Sequence, residues 1–275
     1  MEGVVVRILA GVFTVNTVEG LYDCSVRGKL KLEDIPVVGD NVIVEKTATE
    51  AVIISILPRR NILERPKIAN VDQMFIFMAA TAPDPNNYLI DRLTVLGEYW
   101  QLGLIIGFNK IDLKKNELAD IYRRLGYEVL EFSLAKDENL DVINELLKDK
   151  ITVLAGPSGS GKTTLVNHLV GDIRRTGDVS EKSKRGKHTT RVVELIKLPS
   201  GGFIADTPGF SRLDVFLDNP QKLASCFRET QNSSCYFQNC RHLKEPGCSV
   251  REKMSPERYE SYKQLLQEIE EMRPW

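Results

Sequence analysis

The chain has 275 residues, 42% of them hydrophobic and 27% charged, a balance that excludes a disordered or fibrous protein and permits more than one core. Its net charge of −1 excludes a global pull toward nucleic acid, so any such contact must come from local basic patches. No apolar run approaches membrane-spanning length, and Glu2 and Arg7 interrupt the N-terminal apolar residues that a secretory signal would need, so a cytoplasmic chain without a membrane partner is expected.

The first sixty or so residues read as short strands. GVVVRIL, GVFTVNTV, GLYDCSV, NVIVEK and AVIISIL are separated by turn signals at Gly11, Gly20, Gly28 and Gly39-Asp40. In the third run Tyr22, Cys24 and Val26 alternate with Asp23, Ser25 and Arg27, the pattern of a half-buried strand. Five short strands without a long helix suggest a small barrel of the oligonucleotide-binding type over residues 1–64; an SH3-like barrel used as a spacer is the plainer alternative.

From about Val71 the texture becomes alternating β and α, and residues 65–214 read as an α/β domain. MFIFMA is a continuous apolar strand, and NYLIDRLTVLGEYW places Leu89, Leu93, Leu96 and Trp100 on one helical face. LGLIIGF, EVLEF, ITVLA, RVVELIKL and GFIAD complete six strands, with DENLDVINELLK as an intervening helix. Four of the strands read as parallel crossovers. This is a doubly wound sheet, whose ligands bind beyond the carboxyl ends of the strands.

Residues 215–275 lose that alternation. NPQKLASCFRET reads as helical, a cysteine cluster follows, and SPERYESYKQLLQEIEEM closes the chain as a helix. Ser255 is its N-cap, Pro256 its first residue, and Tyr259, Tyr262, Leu266 and Ile269 its apolar stripe. Cys235, Cys240, His242 and Cys248 offer a Cys3His set suited to one structural Zn2+. Cys24 and Cys226 fit apolar faces and are expected to be inert.

Gly156-Pro157-Ser158-Gly159-Ser160-Gly161-Lys162-Thr163, followed by Thr164, matches the phosphate-loop pattern and sits between an apolar strand and a helix, as its mechanism requires. Glycines let backbone N–H groups curl around a β-phosphate, Lys162 reaches the β- and γ-oxygens, and the Thr163 hydroxyl suits Mg2+. Asp206-Thr207-Pro208-Gly209 ends the GFIAD strand, where Asp206 can hold the magnesium shell and Gly209 can face the γ-phosphate; a plain β-turn is the bland alternative. Between the two lies KSKRGKHTTR, polar and without periodicity, as a switch loop would be. Thr189 or Thr190 can be its metal ligand, with Thr190 favoured.

Asn109-Lys110-Ile111-Asp112 follows a buried strand. Asp112 can accept from guanine N1–H and the 2-amino group together, and adenine would leave that carboxylate underpaired. Asn109 can bond the base edge or tie neighbouring loops, and the Lys110 stem can lie across the base. Ser133-Leu134-Ala135 stands where a backbone N–H would meet guanine O6, without indicating which. These motifs are ordinary, but their order is not. The base-reading segments precede the phosphate loop, which is one cyclic shift of the usual GTPase order with nothing missing, and such rejoining costs little where chain ends are close.

This order, flanked by a barrel and a cysteine–histidine cluster, resembles the YjeQ/RsgA family of circularly permuted, small-ribosomal-subunit-dependent GTPases. The resemblance extends to RGKHTT, NCRHLKEPGC and the RYESY helix. It implies GTP hydrolysis to GDP and phosphate, stimulated by the small (30S) subunit during late assembly, by a monomer that binds rRNA. His188 is a candidate to orient the attacking water, because Phe210 occupies the position where Ras-like GTPases carry glutamine; an exposed, RNA-contacting His188 is the alternative. His168 is expected to be structural. Arg174, Arg175, Lys182, Lys184, Arg185, Lys187 and Arg191, against Asp178 and Glu181, form one basic run, and Arg27, Lys29 and Lys31 another. A nucleotide-gated RNA scaffold with negligible turnover and a phosphate-loop ATPase are the competing readings.

Overall fold

The structure, a computed structural model, describes residues 1–28, 35–64, 66–171, 193–206, 217 and 219–271. In chain order it carries a five-stranded barrel, an α/β core and a C-terminal helical region. Two compact units emerge: Met1–Gln73 with Asp141–Leu154 and Thr163–Phe210, and Met74–Leu140 with Ala155–Lys162 and Ser211–Trp275.

The barrel strands are β1 (Glu2–Leu9), β2 (Val12–Thr17), β3 (Gly20–Val26), β4 (Asn41–Lys46) and β5 (Ala51–Ile56). β1, β2 and β3 pair antiparallel in sequence, β3 pairs parallel with β5, and β4 pairs antiparallel with both β5 and β1. The ring therefore closes, leaving no free edge within it. Register shifts at Val5/Arg7 and Ile43/Val44 supply the extra bend that a five-strand closure needs. The inward set is Val5, Phe13, Val15, Cys24, Val26, Val42, Val44, Ala51 and Ile53, as strand alternation dictates. Burial pushes the Cys24 thiol up to about 11, so it stays protonated and unreactive.

A hairpin of β6 (Ile62–Glu64) and β7 (Lys67–Ala69) follows. It is tied to the barrel's β3–β4 connection by Ala69 N–H donating to Val38 O at 2.8 Å. The core then runs β8 (Gln73–Ala79), α1 (Asn87–Tyr99), β9 (Gly103–Asn109), α2 (Leu118–Arg124), β10 (Glu128–Glu131), α3 (Leu140–Leu147), β11 (Ile151–Ala155), α4 (Lys162–Val170), β12 (Glu194–Lys197) and β13 (Phe203–Asp206). In the first unit β11 and β13 are parallel, but β12 runs antiparallel to β13 and also pairs with β1 through Arg7 and Glu194. In the second unit β9 and β10 are parallel. Phe77 and Phe132 stack edge-on at 5.2 Å beneath the loops that leave these strands.

Helix α1 buries more than the expected stripe. Ile90, Asp91, Leu93, Thr94, Val95, Leu96 and Gly97 are all buried, whereas Leu89 and Trp100 are only half-buried. A carboxylate inside needs partners. Asp91 Oδ1 accepts from Tyr122 Oη at 2.7 Å and from Arg258 Nη1, on the C-terminal helix α6 (Pro256–Glu271). Arg258 in turn donates from Nε to Glu229 at 2.5 Å and lies over the Phe227 ring at 4.7 Å. Arg92 donates to Glu268 of the same helix at 2.6 Å. The NPQKLASCFRET segment is not the expected helix: it breaks into three 3-10 turns, Pro220–Lys222, Ala224–Cys226 and Arg228–Thr230. Extended backbone at Phe227 interrupts it (φ −102°, ψ 115°), and its ring packs edge-on to Tyr262 at 5.8 Å. Among the described residues no helix is long and apolar enough to cross a membrane.

The Arg258 and Asp91 side chains are 4% and 0% exposed. Removing one member leaves buried charge uncompensated, so Arg258→Ala should cost about 3–5 kcal/mol in denaturant unfolding. Arg123→Ala, at the exposed pairs with Asp120 and Glu131, should cost less than about 1 kcal/mol. Equal effects would show that the buried cluster does not anchor the C-terminal helix.

Candidate functional site

β11 is buried throughout and delivers the chain to Gly156. Gly156 (φ +143°) and Gly161 (φ +109°) occupy backbone regions that disfavour side chains. A Cβ at Gly156 would lie 2.1 Å from Phe77 O, and one at Gly161 would lie 2.5 Å from Asn109 Nδ2. Between them Ser158 and Gly159 form an exposed crest, and Ser160 is buried with its hydroxyl donating to Pro157 O at 3.0 Å. Lys162, the first residue of α4, donates from Nζ to Gly156 O and Pro157 O, both at 2.7 Å. Thr163 and Thr164 are exposed on the next positions of that helix.

Asn109, only 4% exposed, ends β9, and its amide ties neighbouring loops. Its Nδ2 donates to Ser160 O at 3.0 Å, and its Oδ1 accepts from Leu134 N–H at 3.1 Å and Lys110 N–H at 2.8 Å. Three loops that are distant in sequence therefore meet on one amide. Lys110, at φ +68°, donates from Nζ to Gly159 O at 3.0 Å and to Ala82 O. Buried Ser133 donates its hydroxyl to Asp112 Oδ1 at 2.5 Å, and the 133–138 turn is closed by paired Ser133–Glu138 backbone bonds. Asp112 itself is exposed. The structure thus brings together Asn109, Lys110, Asp112, Ser133, Leu134, Ala135 and the Gly156–Lys162 loop.

Thr189, Thr190, His188, Thr207, Pro208, Gly209 and Phe210 lie outside the described residues, as do Lys29, Lys31 and the basic run 174–191. The Asp206 side chain does too, although its backbone closes β13. Arg27 is exposed and pairs with Glu45 at 3.7 Å. His168, expected to be structural, is exposed on α4.

In the C-terminal region the side-chain donor atoms of Cys235, Cys240, His242 and Cys248 all lie within 4.8 Å of one another. Cys235 Sγ and Cys248 Sγ are 4.0 Å apart, and each is 3.5 Å from His242 Nδ1. A tetrahedral zinc with standard bond lengths requires edges of about 3.8 Å between sulfurs and about 3.6 Å from sulfur to nitrogen, so the donors fit that ion. Burial holds the His242 imidazole below its ordinary pKa, against Glu245, which favours the neutral, ligating form.

Glu245 has no place in the motif, yet it organises the knuckle. Its carboxylate accepts from the backbone N–H groups of Arg241 (2.8 Å), Leu243 (2.9 Å) and Lys244 (3.0 Å). Those bonds, that from Arg241 foremost, pull its pKa down to about 2. Tyr259 and Tyr262 of α6 donate to the carbonyls of His242 and Arg241 at 2.9 and 3.0 Å. The tyrosines were legible as an apolar stripe but not as donors. Cys226, as expected, is buried, and burial pushes its thiol up to about 12.

The description "RsgA GTPase" matches residues 56–216 and "RsgA N-terminal domain" residues 2–54. The small ribosomal subunit biogenesis GTPase RsgA of Carboxydothermus hydrogenoformans is 47% identical, over 98% of each chain. That of Caldanaerobacter subterraneus is 39% identical over 98% of this chain and 96% of its own. Among solved structures, YloQ, a circularly permuted GTPase, superposes with a TM-score of 0.81 at 33% identity, covering 100% of this chain and 96% of its own. YjeQ from Thermotoga maritima gives 0.81 at 30%, covering 99% of each.

Asn109→Asp keeps the acceptor for Leu134 but turns the donor toward Ser160 O into a second acceptor. Fluorescent-nucleotide titration is expected to show at least about ten-fold weaker binding, the cost of one buried, mismatched polar contact. Undiminished affinity would mean that the three loops do not depend on this amide.

Proposed function

Because the chain belongs to the RsgA family of circularly permuted GTPases, we propose that it acts in late maturation of the small (30S) ribosomal subunit, holding rRNA in its GTP state and leaving after hydrolysis. The observation that carries this reading is the Asn109 amide, which draws the base-reading and phosphate-binding loops together despite their rotated order.

On this reading Asp112 binds guanine N1–H and the 2-amino group, while Ser133 fixes the carboxylate by donating its hydroxyl to Oδ1. Leu134 N–H is taken by Asn109, and Ala135 N–H has no partner among the described residues, so Ala135 is the donor for guanine O6. The 156–161 loop supplies N–H groups to the β-phosphate, and Lys162 supplies charge to the β- and γ-oxygens. Thr163, Thr190 and Asp206 are the residues that would hold Mg2+, which neutralises charge developing on the phosphates. Gly209 senses the γ-phosphate, and His188 orients water where Phe210 cannot. The Cys3His set holds one structural Zn2+. The working division remains 1–64 for RNA binding, 65–214 for GTP hydrolysis and 215–275 for the zinc region. The partner is the small subunit and its rRNA, met by a cytoplasmic monomer.

Turnover should rise when purified small subunits are added, and Asp112→Asn should move preference from GTP toward xanthosine triphosphate. Turnover that ignores the subunit favours a nucleotide-gated scaffold, and unchanged base preference removes Asp112 from its role. Chelation should release one zinc per chain and lower the melting temperature; metal loss with an unaltered melting profile would contradict a structural ion.

A further inference from the structure

Cys235 and Cys240 bracket the sequence Tyr236-Phe237-Gln238-Asn239. Tyr236 is 83% exposed and Phe237 40% exposed, whereas every other aromatic ring among the described residues is buried or half-buried. Their rings meet edge-on, with centroids 5.0 Å apart and planes at 85°. The ring-bearing turn is held rather than loose. Cys240 N–H donates to Phe237 O at 3.2 Å, and both flanking cysteines belong to the four-donor cluster. A fold that gives up burial of two adjacent rings while fixing their backbone presents a surface.

The chemistry around the rings selects its occupant. From Thr230 to Lys244 there is no acidic residue. Gln231, Asn232, Ser234, Gln238 and Asn239 are exposed amides and a hydroxyl, and Arg241, paired with Glu270, and Lys244 are the cations. A hydrophobic protein pocket would be matched by further apolar neighbours, and an acidic helix by more cations. Flat π-faces flanked by exposed amides and by the cation Lys244, with the nearby carboxylates Glu245 and Glu270 already engaged by backbone N–H groups and by Arg241, match unpaired nucleobases and their phosphates. We propose that Tyr236 and Phe237 form a stacking platform for unpaired RNA bases. The proposal rests on the RNA-binding reading above and assigns to it a contact that the basic runs of the sequence do not contain.

The test uses the full zinc-loaded chain with a non-hydrolysable GTP analogue and purified small subunits. Tyr236→Ala and Phe237→Ala should each weaken binding about ten-fold, the scale of one lost base stack, with zinc content and intrinsic GTP turnover unchanged. Tyr236→Phe should bind like the wild type, and Tyr236→Leu like the alanine variant. Retention by the leucine variant would show that an apolar protein pocket is the occupant, and loss by the phenylalanine variant that the hydroxyl, not the ring, is recognised. Either result overturns the platform. Ultraviolet irradiation of the wild type with a mixed-sequence single-stranded RNA gives a readout independent of the subunit and of variant folding. A base adduct on the Cys235–Cys240 peptide supports the proposal, and adducts confined to other peptides sink it. Failure of wild-type protein to bind or respond to subunits would instead count against the proposed function.

Discussion

One buried primary amide holds three loops of this molecule together. Asn109 has a donor and an acceptor in a fixed plane, and both are used: Nδ2 on the phosphate loop, Oδ1 on the loop that follows β10. Each bond contributes on the order of 1 kcal/mol, but leaving a buried partner unsatisfied costs about 1–3 kcal/mol, so the three segments hold or loosen together. A carboxylate could accept but not donate, and a shorter hydroxyl would not span both loops. The amide also explains why Gly161 has no side chain, since a Cβ there would displace Nδ2. Cyclic rearrangement of the chain is therefore tolerable at this site. What must be preserved is the meeting of loops in space, and side-chain bonds do not depend on the order in which the loops are synthesised.

The C-terminal helix is fixed by a similar economy of polar contacts. Arg258 is surrounded by Asp91, Glu229, Tyr122 and Phe227, with its charge shared between two carboxylates. Desolvating such a set offsets most of its attraction, so it adds less net stability than well-packed apolar groups of equal volume would. Its distinguishing property is direction. A guanidinium bonded to Glu229 through Nε and Nη2 and to Asp91 through Nη1 has one geometry. Helix α6 thereby acquires a defined rotation and register against α1, reinforced where Glu268 meets both Arg92 and Tyr88.

The parts legible in the sequence were those governed by local periodicity and turn chemistry. The five barrel strands fall within a residue of their expected ends because glycine turns bound them and alternation fixes their faces. The glycine-rich 156–162 segment and the Asn-Lys-x-Asp segment stood out as motifs because of their residue types and spacing, and the structure brings the two together. Three-residue strands are too short to show a period, so the β6–β7 hairpin left no signal. Asp91 lies opposite the expected stripe of its helix, and Arg258 falls on the buried face of its own but carries a charge; only their tertiary pairing lets both sit inside. NPQKLASCFRET has helix-compatible composition, yet the packing of Phe227 against Arg258 and Tyr262 outweighs a propensity worth only tenths of a kcal/mol per residue. Glu245 was invisible for a related reason, because its partners are backbone N–H groups with no sequence signature.

Between residues 219 and 255 the described chain has only short 3-10 turns and the five-residue helix α5 (Ser249–Lys253). No amphipathic element of useful length exists there, and a segment this small cannot build a sufficient core from apolar area alone. Two of its buried side chains, Cys240 and Cys248, are members of the four-donor cluster, so the donors occupy positions that a larger domain would give to aliphatic residues. The remaining constraints are directional: Glu245 on three amides, Tyr259 and Tyr262 on the carbonyls beside His242, and Arg258 on Glu229. The backbone of the donor segment and its leading end are thus both held from α6, so the donor cluster and the C-terminal helix order together. An ion held by these four donors would add its coordination free energy to holding that fold.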